Sequence, residues 1–236
     1  MMAIENPSET PLATIQRQPL RHTVRTRIEE AIVQGKFKGG EKLNEAELSR
    51  ALGVSRGLVR EALRELETSG VLVSVPYKGT FVKEWTPETV WELYTLRAAL
   101  EEFAVDLAVA RATEGDFQQL EELLEDMRRA ALTGDTMELV EIDLEFHQRL
   151  CQMADHELLW KALQGIGGQT HIFIIATKAY YSPFASLEDA AASHEPILEA
   201  LRARDAQAAR MAIHEHIREV GERYVEQLRA GEAPIE

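Results

Sequence analysis

The chain has 236 residues, enough for two modest domains or one large one, and its 45% hydrophobic and 28% charged residues are ordinary for a globular protein. Its net charge of −14 is unevenly divided: residues 1–85 hold 13 basic and 11 acidic residues (+2), and residues 86–236 hold 13 and 29 (−16). The first segment can therefore approach phosphate, whereas the second excludes an architectural protein that wraps DNA around itself.

The sequence shows no signal for export or membrane insertion. Residues 1–18 are polar and contain proline, unlike a signal peptide, so we expect a flexible tail there and another at 231–236. No run of roughly 18 apolar residues occurs, so no membrane span is expected. A single cysteine, Cys151, excludes an internal disulfide and favours the reducing cytoplasm.

The first elements predict three helices followed by a hairpin. Apolar residues recur at helical steps from Pro19 to about residue 34. Asn44 is placed to begin a second helix, which ends at Gly53, and Ser55 to cap a third that runs to about residue 68. Residues 71–83 then alternate as two strands around the turn PYKG. This order is that of a winged helix-turn-helix over residues 19–84.

The third helix and the hairpin tip carry the candidate DNA contacts. In a helix-turn-helix the first turn of the second helix enters the major groove, where arginine can donate two hydrogen bonds to guanine. The alternative is an ordinary solvated face in which Arg56, Arg60 and Arg64 pair with Glu61 and Glu65, but the helix spacing and the hairpin favour DNA binding. The candidates are Ser55, Arg56, Gly57 and Arg60 on the helix, with Lys78, Gly79 and Thr80 in the wing.

The remainder is helical in pattern, beginning at Thr86-Pro87, a cap followed by a proline suited to the first turn. Long helices with short joints predict an all-α bundle over residues 85–230. The expected helices lie near 87–111, 116–132, 136–153, 156–180, 187–203 and 206–229.

Four residues on three of these helices have metal-ligand chemistry. Asp143 and His147 are four residues apart on a face shared with core leucines, and His194 and His216 each lie in an apolar stripe. Such a set suits Zn²⁺, with Ni²⁺ or Mn²⁺ possible, provided that the three helices meet. The alternative is that each histidine is a hydrogen-bonded core residue.

Three stretches resemble known families. LNEAELSRALGVSRGLVREALRELETSGVLVSVPYKGTFV resembles the winged helix of the GntR regulators, although many members have arginine where this chain has Ala46. DLEFHQRLCQMADHELL and SHEPILEALRARDAQAARMAIHEHI resemble the FCD effector domain of the FadR subfamily. The resemblance implies DNA contacts at the positions named above. It also implies metal ligation by Asp143, His147, His194 and His216, the ligands in metal-bearing members.

Three residues complicate or extend this resemblance. Pro196 could bend the helix that holds His194, and Cys151 could compete as a soft ligand. Arg97 lies on the apolar side of the first bundle helix, where its charge needs a partner. That partner is either Glu101, four residues later, or, as the family favours, the carboxylate of an organic-acid effector.

Together these features predict a homodimeric, cytoplasmic repressor that binds a pseudo-palindromic DNA operator. A small carboxylate effector near the metal would release it through the short joint at residues 84–87. The alternative is a metal-dependent hydrolase, since three histidines and a carboxylate around a divalent ion can activate water. The sequence has no HExxH motif, and a winged helix has no place in a simple hydrolase.

Overall fold

The computed structural model describes residues 18–176 and 184–230. The two expected tails, apart from Gln18, lie outside these residues, as does the end of the helix predicted for 156–180. Within the described ranges no helix is both long and apolar enough to cross a membrane.

The N-terminal region has the predicted helices and hairpin. Asn44 accepts hydrogen bonds from the first amides of its helix, and Ser55 does the same for the next, as their cap positions predict. Gly53, between the two helices, has φ 66°, a left-handed conformation that glycine adopts without strain. The elements are α1 (Gln18–Val33), β1 (Lys42–Leu43), α2 (Glu45–Leu52), α3 (Arg56–Thr68), β2 (Leu72–Val75) and β3 (Gly79–Val82).

The wing is a sheet of three strands, one more than the sequence predicts. Strand β3 lies in the centre and pairs antiparallel with β2 and with β1, where Leu43 is opposite Thr80. Strand β1 has only two residues, too few to show the alternation of apolar and polar residues from which a strand is predicted. At the wing tip Tyr77 is fully exposed and has φ 64°, an unusual conformation for a bulky residue.

The C-terminal region is a bundle built around two 25-residue helices, α4 and α10. They approach closely at Gly221, where an added Cβ would lie 2.5 Å from Cβ of Tyr94. Thr86 caps α4 as predicted and forms a reciprocal pair of hydrogen bonds with Thr89. The helices are α4 (Pro87–Arg111), α5 (Glu114–Thr133), α6 (Thr136–Gln152), α7 (Glu157–Ala176), α8 (Leu187–Ala192), α9 (Glu195–Arg202) and α10 (Ala206–Ala230).

The single helix predicted over 187–203 is wrong. The structure has two short helices there, α8 and α9, separated by Ser193 and His194. Pro196 lies in the first turn of α9, where its missing N–H breaks no helical hydrogen bond. The proline therefore begins a new helix instead of bending a continuous one, and His194 lies at the joint.

Two hydrophobic clusters form the core, one beneath the winged helix and one inside the bundle. Helix α7 contributes to both: Phe173 is buried in the bundle cluster, and Ile172 is buried in the winged-helix cluster. Trp85, in the joint between the two regions, packs against both clusters, and its ring lies edge-on to Phe173 with centroids 5.2 Å apart. The winged helix thus rests on one helix of the bundle.

Candidate nucleic-acid interface and metal centre

The first turn of α3 presents a polar surface to solvent. The Ser55 hydroxyl is committed to its capping role, because Oγ accepts a hydrogen bond from the amide of Leu58 at 3.3 Å. Arg56 and Gly57 are exposed. Arg60, one turn later, is also exposed but paired: its Nε and Nη2 donate to the two carboxylate oxygens of Glu45 at 3.0 and 2.8 Å.

Glu45, at the start of α2, was not singled out in the sequence. It is 15 residues from Arg60, and no local pattern joins the two. A phosphate or a guanine edge can accept the same two-pronged hydrogen bond from an arginine. Glu45 therefore engages the donor groups of Arg60 that a contact with DNA would require.

The wing residues differ in how available they are. Lys78 and Tyr77 are exposed at the tip. Gly79 has φ 111°, and a Cβ there would lie 2.8 Å from Cε of Lys42, so glycine is required for the turn. The Thr80 hydroxyl donates to Glu67 at 2.9 Å and is turned toward the base of the wing. Tyr77 was missed because an aromatic residue in a turn carries no sequence signal of its own.

The four predicted metal ligands come together. Asp143 and His147 project from α6, His194 from the joint before α9, and His216 from α10. One potential ligand atom from each lies within 4.8 Å of all the others. The three segments that carry these side chains therefore converge at one point inside the bundle.

Hydrogen bonds to the far side of the rings orient two of the histidines. His147 Nδ1 lies 2.6 Å from a carboxylate oxygen of Glu101, and His194 Nδ1 lies 3.1 Å from the carbonyl oxygen of Ala190. With the proton on Nδ1, the Nε2 lone pair of each ring is directed into the cluster. This is the arrangement by which a second residue fixes the tautomer of a metal-binding histidine.

Unsatisfied nitrogen atoms indicate that the cluster fits a cation. His194 Nε2 and His216 Nδ1 are buried without a hydrogen-bond partner among the described residues, although His194 Nε2 lies 3.1 Å from Oδ1 of Asp143. Buried polar atoms are rarely left unsatisfied, and a metal ion would satisfy a ring nitrogen and a carboxylate together. Three imidazoles and one carboxylate are a donor set suited to zinc and its first-row neighbours.

The protonation states also suit ligation. Burial lowers the pKa of His147 and lowers that of His216 further, where the neighbouring His194 and His147 add to the effect. Burial alone would raise the pKa of Asp143, but His194, with His147 and Arg97, outweighs burial and holds the pKa below its ordinary value. Neutral imidazoles and an ionised carboxylate are the forms that bind a metal.

Beside the cluster lies a buried ion pair, Arg97 with Glu101. Arg97 Nε donates to Oε1 of Glu101 at 2.6 Å, and the side chains are only 8% and 3% exposed. Burial opposes ionisation of Glu101, yet Arg97 and His147 together lower its pKa. Of the two partners considered for Arg97, the structure shows Glu101. This residue also orients His147, a link between helices that sequence periodicity does not reveal.

A cavity of about 220 Å³ opens between α4, α6 and α7 next to this pair. Arg97, Glu101 and His147 provide its polar end. Cys151 lines it too, but burial raises the pKa of the thiol well above its ordinary value, so the thiol is a poor competitor for a metal. Its apolar wall is formed by Leu144, Trp160, Leu163 and Ile166.

His171 and Lys178, which the helical spacing places on one face of the helix predicted for 156–180, are two further candidates for contacting an effector. His171 contacts Glu141 at 3.0 Å in a neighbouring polar cleft. Lys178 lies outside the described residues.

Two family models match the chain. The model described as bacterial regulatory proteins of the gntR family covers residues 20–82, and the model of the FCD domain covers residues 92–219. The first match spans the helix-turn-helix and the wing, and the second spans all four residues of the cluster.

Curated relatives agree with these matches. The chain is 30% identical over 190 residues to the uncharacterized HTH-type transcriptional regulator YdhC of Bacillus subtilis, covering 80% of this chain and 84% of that one. It is 31% identical to a protein of Paenarthrobacter nicotinovorans named a probable D-xylose utilization operon transcriptional repressor, over 86% and 88% of the two chains. The transcriptional repressor RspR of Escherichia coli is 29% identical, over 87% and 89%.

Solved structures share the fold. E. coli McbR/YncC superposes with a TM-score of 0.66 at 24% identity, and a GntR-type regulator from Rhodococcus sp. RHA1 with 0.68 at 21%. Each comparison covers 90% of this chain and 98% of the other. With a winged helix, an FCD bundle and relatives of this kind, the chain belongs to the GntR family of bacterial transcription regulators.

Proposed function

We propose that the protein is a cytoplasmic repressor that binds an operator through α3 and the wing and leaves it when a small carboxylate binds in the bundle. The observation that carries the DNA part is the first turn of α3, where Arg56, Gly57 and Arg60 are exposed, together with the exposed Lys78 of the wing. Two of the relatives described above are named as repressors, which supports repression over activation.

The operator is expected to be a pseudo-palindrome bound by a homodimer. One winged helix with a net charge of +2 offers few phosphate contacts, so two copies are needed for tight binding. Helix α4 carries an exposed apolar stripe on which a second copy can pack. Leu96 and Phe103 are 52% and 46% exposed, and Ala99 is exposed between them. We expect Phe103→Glu to yield monomers in sedimentation experiments.

The bundle supports a metal-assisted sensor of carboxylates. A divalent ion, zinc in the first instance, held by Asp143, His147, His194 and His216 would supply positive charge near the cavity. The charges of Arg97 and Glu101 cancel. The two positive charges of the ion and the negative charge of Asp143 then leave one net positive charge. This favours a ligand with a single carboxylate, and the apolar wall of the cavity favours a hydrocarbon or aromatic body.

The DNA part is tested with operator fragments selected from random DNA. Arg56→Ala and Arg60→Ala should each weaken binding by about 1–3 kcal/mol if they contact bases, or reduce the salt dependence by about one unit if they contact phosphate. Arg27→Ala on α1, an exposed arginine paired with Glu30, is the matched control. Unchanged binding by both α3 variants would contradict the assignment.

The metal part is tested by elemental analysis. Wild-type protein should carry roughly one divalent ion per chain, removable by a chelator, and His194→Ala should carry far less. His214→Ala is the control, because His214 lies on the other side of α10, 2.5 Å from Glu102. Equal metal content in wild type and His194→Ala would identify His194 as a structural residue.

The effector part is tested by thermal shift with acetate, benzoate, phenylacetate and succinate on zinc-loaded protein. Benzoate or phenylacetate should stabilise more than succinate if one carboxylate and an apolar body are preferred. Arg97→Lys keeps the charge opposite Glu101 but loses the planar donor set, and it should reduce the shift. Shifts of equal size in wild type and Arg97→Lys would remove Arg97 from the ligand site.

The hydrolase alternative lacks one component among the described residues. A metal-activated water needs a free general base, and the carboxylate nearest the cluster beyond Asp143 is Glu101. Both oxygens of Glu101 are engaged, one by Arg97 and one by His147. The regulator therefore accounts for more of the site than the hydrolase does.

A further inference from the structure

Helix α7 has two faces with different partners. One face lines the cavity beside Arg97 through Trp160, Leu163 and Ile166, followed by Gly167 and Gly168. The other face meets the winged helix, where Ile172 is only 3% exposed inside the winged-helix cluster. One helix is thus in contact with both the proposed ligand cavity and the DNA-binding region.

The contact with the winged helix is specific. Lys83, which follows β3, donates from Nζ to Oε1 of Gln169 at 2.6 Å. The Gln169 side chain lies over Gly70, where an added Cβ would be 2.5 Å from its Cδ. A Cβ added at Gly168 would lie 3.7 Å from Cβ of Ser69, an ordinary van der Waals distance. Helix α7 therefore touches the turn that follows α3, the helix with the candidate base contacts.

The part of α7 between Leu163 and Ile172 is rich in glycine. Gly165, Gly167 and Gly168 lie within one turn of α7, and glycine is unfavourable inside a helix. Packing does not require it at two of these positions, because an added Cβ at Gly165 or Gly167 would meet no atom of the described residues within 4 Å. Gly167 and Gly168 leave room at the cavity, and the three glycines make this part of the helix easy to distort.

The joint at residues 84–87 is a poorer route for a signal. Thr86 and Thr89 fix the start of α4 by reciprocal hydrogen bonds. Trp85 in the joint packs on Phe173, which itself belongs to α7. The joint thus rests on α7 and would follow it.

We propose that α7 transmits occupancy of the cavity to the winged helix. A ligand against Leu163 and Gly167 displaces the glycine segment, and Gln169 and Ile172 carry the displacement to the end of α3. This inference rests on the effector proposed above. A ligand can act on DNA binding only if it favours one arrangement of the two regions over the other.

The first test separates binding from response. Zinc-loaded full-length Gln169→Ala should bind benzoate with an affinity within about twofold of that of wild type, as measured by calorimetry. Its benzoate-induced change in operator affinity should fall from about fivefold or more to less than twofold. Lys161→Ala is the control, because Lys161 is an exposed residue of α7 paired with Glu157. A full response in Gln169→Ala would overturn the α7 route.

The second test needs no ligand. Gly167→Leu places a side chain in the cavity from α7 and should by itself change operator affinity about fivefold or more. Adding Gln169→Ala should cancel that change. The same affinity in Gly167→Leu as in wild type, with both proteins folded by circular dichroism, would overturn the proposal.

The two tests distinguish the failures. If no carboxylate alters wild-type operator affinity but Gly167→Leu does, the proposed ligand class is wrong and the α7 route stands. If carboxylates act on wild type and on Gln169→Ala equally, the sensor stands and the α7 route is wrong.

Discussion

Two arginine–glutamate pairs in this protein have the same chemistry in opposite surroundings. Arg60 and Glu45 meet on the outer surface of the helix-turn-helix, with side chains 57% and 35% exposed. Arg97 and Glu101 meet inside the bundle, where the side chains are 8% and 3% exposed. The N–O distances, 2.8 and 2.6 Å, differ little.

The surroundings decide what each pair can do. Water solvates Arg60 and Glu45 whether or not they touch, so the pair can separate at little cost and Arg60 can turn to DNA. Water cannot solvate Arg97 and Glu101 in this way because both are buried, and separating them would leave a buried charge uncompensated. The exposed pair is therefore suited to exchange of partners, and the buried pair to a fixed scaffold for His147 and the cavity.

The largest effect is expected from breaking the buried pair. Glu101→Gln leaves Arg97 charged and unpaired, and should lower the free energy of unfolding by roughly 3–5 kcal/mol. Urea denaturation at pH 7 measures it. Glu102→Gln, the neighbouring position paired with the partly exposed His214, is the control and should change stability far less. Similar losses of unfolding free energy in both variants would mean that the buried pair contributes no more to stability than the exposed one.

A smaller effect is expected from pH in metal-free protein. Burial lowers the pKa of His147 and of His216, so the unfolded chain takes up protons below pH about 6.5 while the folded chain does not. Stability should therefore be constant above that pH and fall below it, by about 1.4 kcal/mol per pH unit for each histidine.

The measurement is urea denaturation with a chelator at several pH values between 5 and 7.5. His216→Asn should flatten the pH dependence, because one of the two buried histidines is then removed. An unaltered slope in His216→Asn would show that its ring is not held neutral in the folded protein.

The smallest effect on folding is expected at the exposed pair. Glu45→Gln should leave the unfolding midpoint nearly unchanged, yet raise DNA affinity and steepen its salt dependence by about one unit, because Arg60 loses its competing carboxylate. Fluorescence anisotropy at several salt concentrations measures this. Glu30→Gln, which frees Arg27 on α1, should have no such effect. Equal behaviour of the two variants would place Arg60 outside the DNA contact.

The sequence predicts what local periodicity and caps control. Asn44, Ser55 and Thr86 cap helices where expected, and helical spacing alone predicts inward positions for Asp143, His147, His194 and His216. Spacing could not bring the three segments together, because periodicity gives a face but not the neighbour of that face, and only the resemblance to the FCD domain implied that they meet.

The sequence does not predict contacts between distant elements. Glu45 reaches Arg60 across 15 residues, and Glu101 reaches His147 across 46. Pro196 is a second example, because the same residue can bend a helix or begin one. Here the residues before it form the separate helix α8, so Pro196 begins α9 instead of bending a continuous helix.

The break before α9 affects how the bundle can adjust to different ions. His147 and His216 extend from the interiors of long helices, whose backbone positions are fixed by packing on both sides. His194 instead extends from the two-residue joint between two short helices, where its Nδ1 lies 3.1 and 3.3 Å from the carbonyl oxygens of Ala190 and Ala191. If the cluster binds a divalent ion, a mismatch in ionic radius among zinc, nickel and manganese would move this joint more easily than the long helices α6 and α10, and a joint that moves favours selection of the metal by its preferred geometry over selection by size.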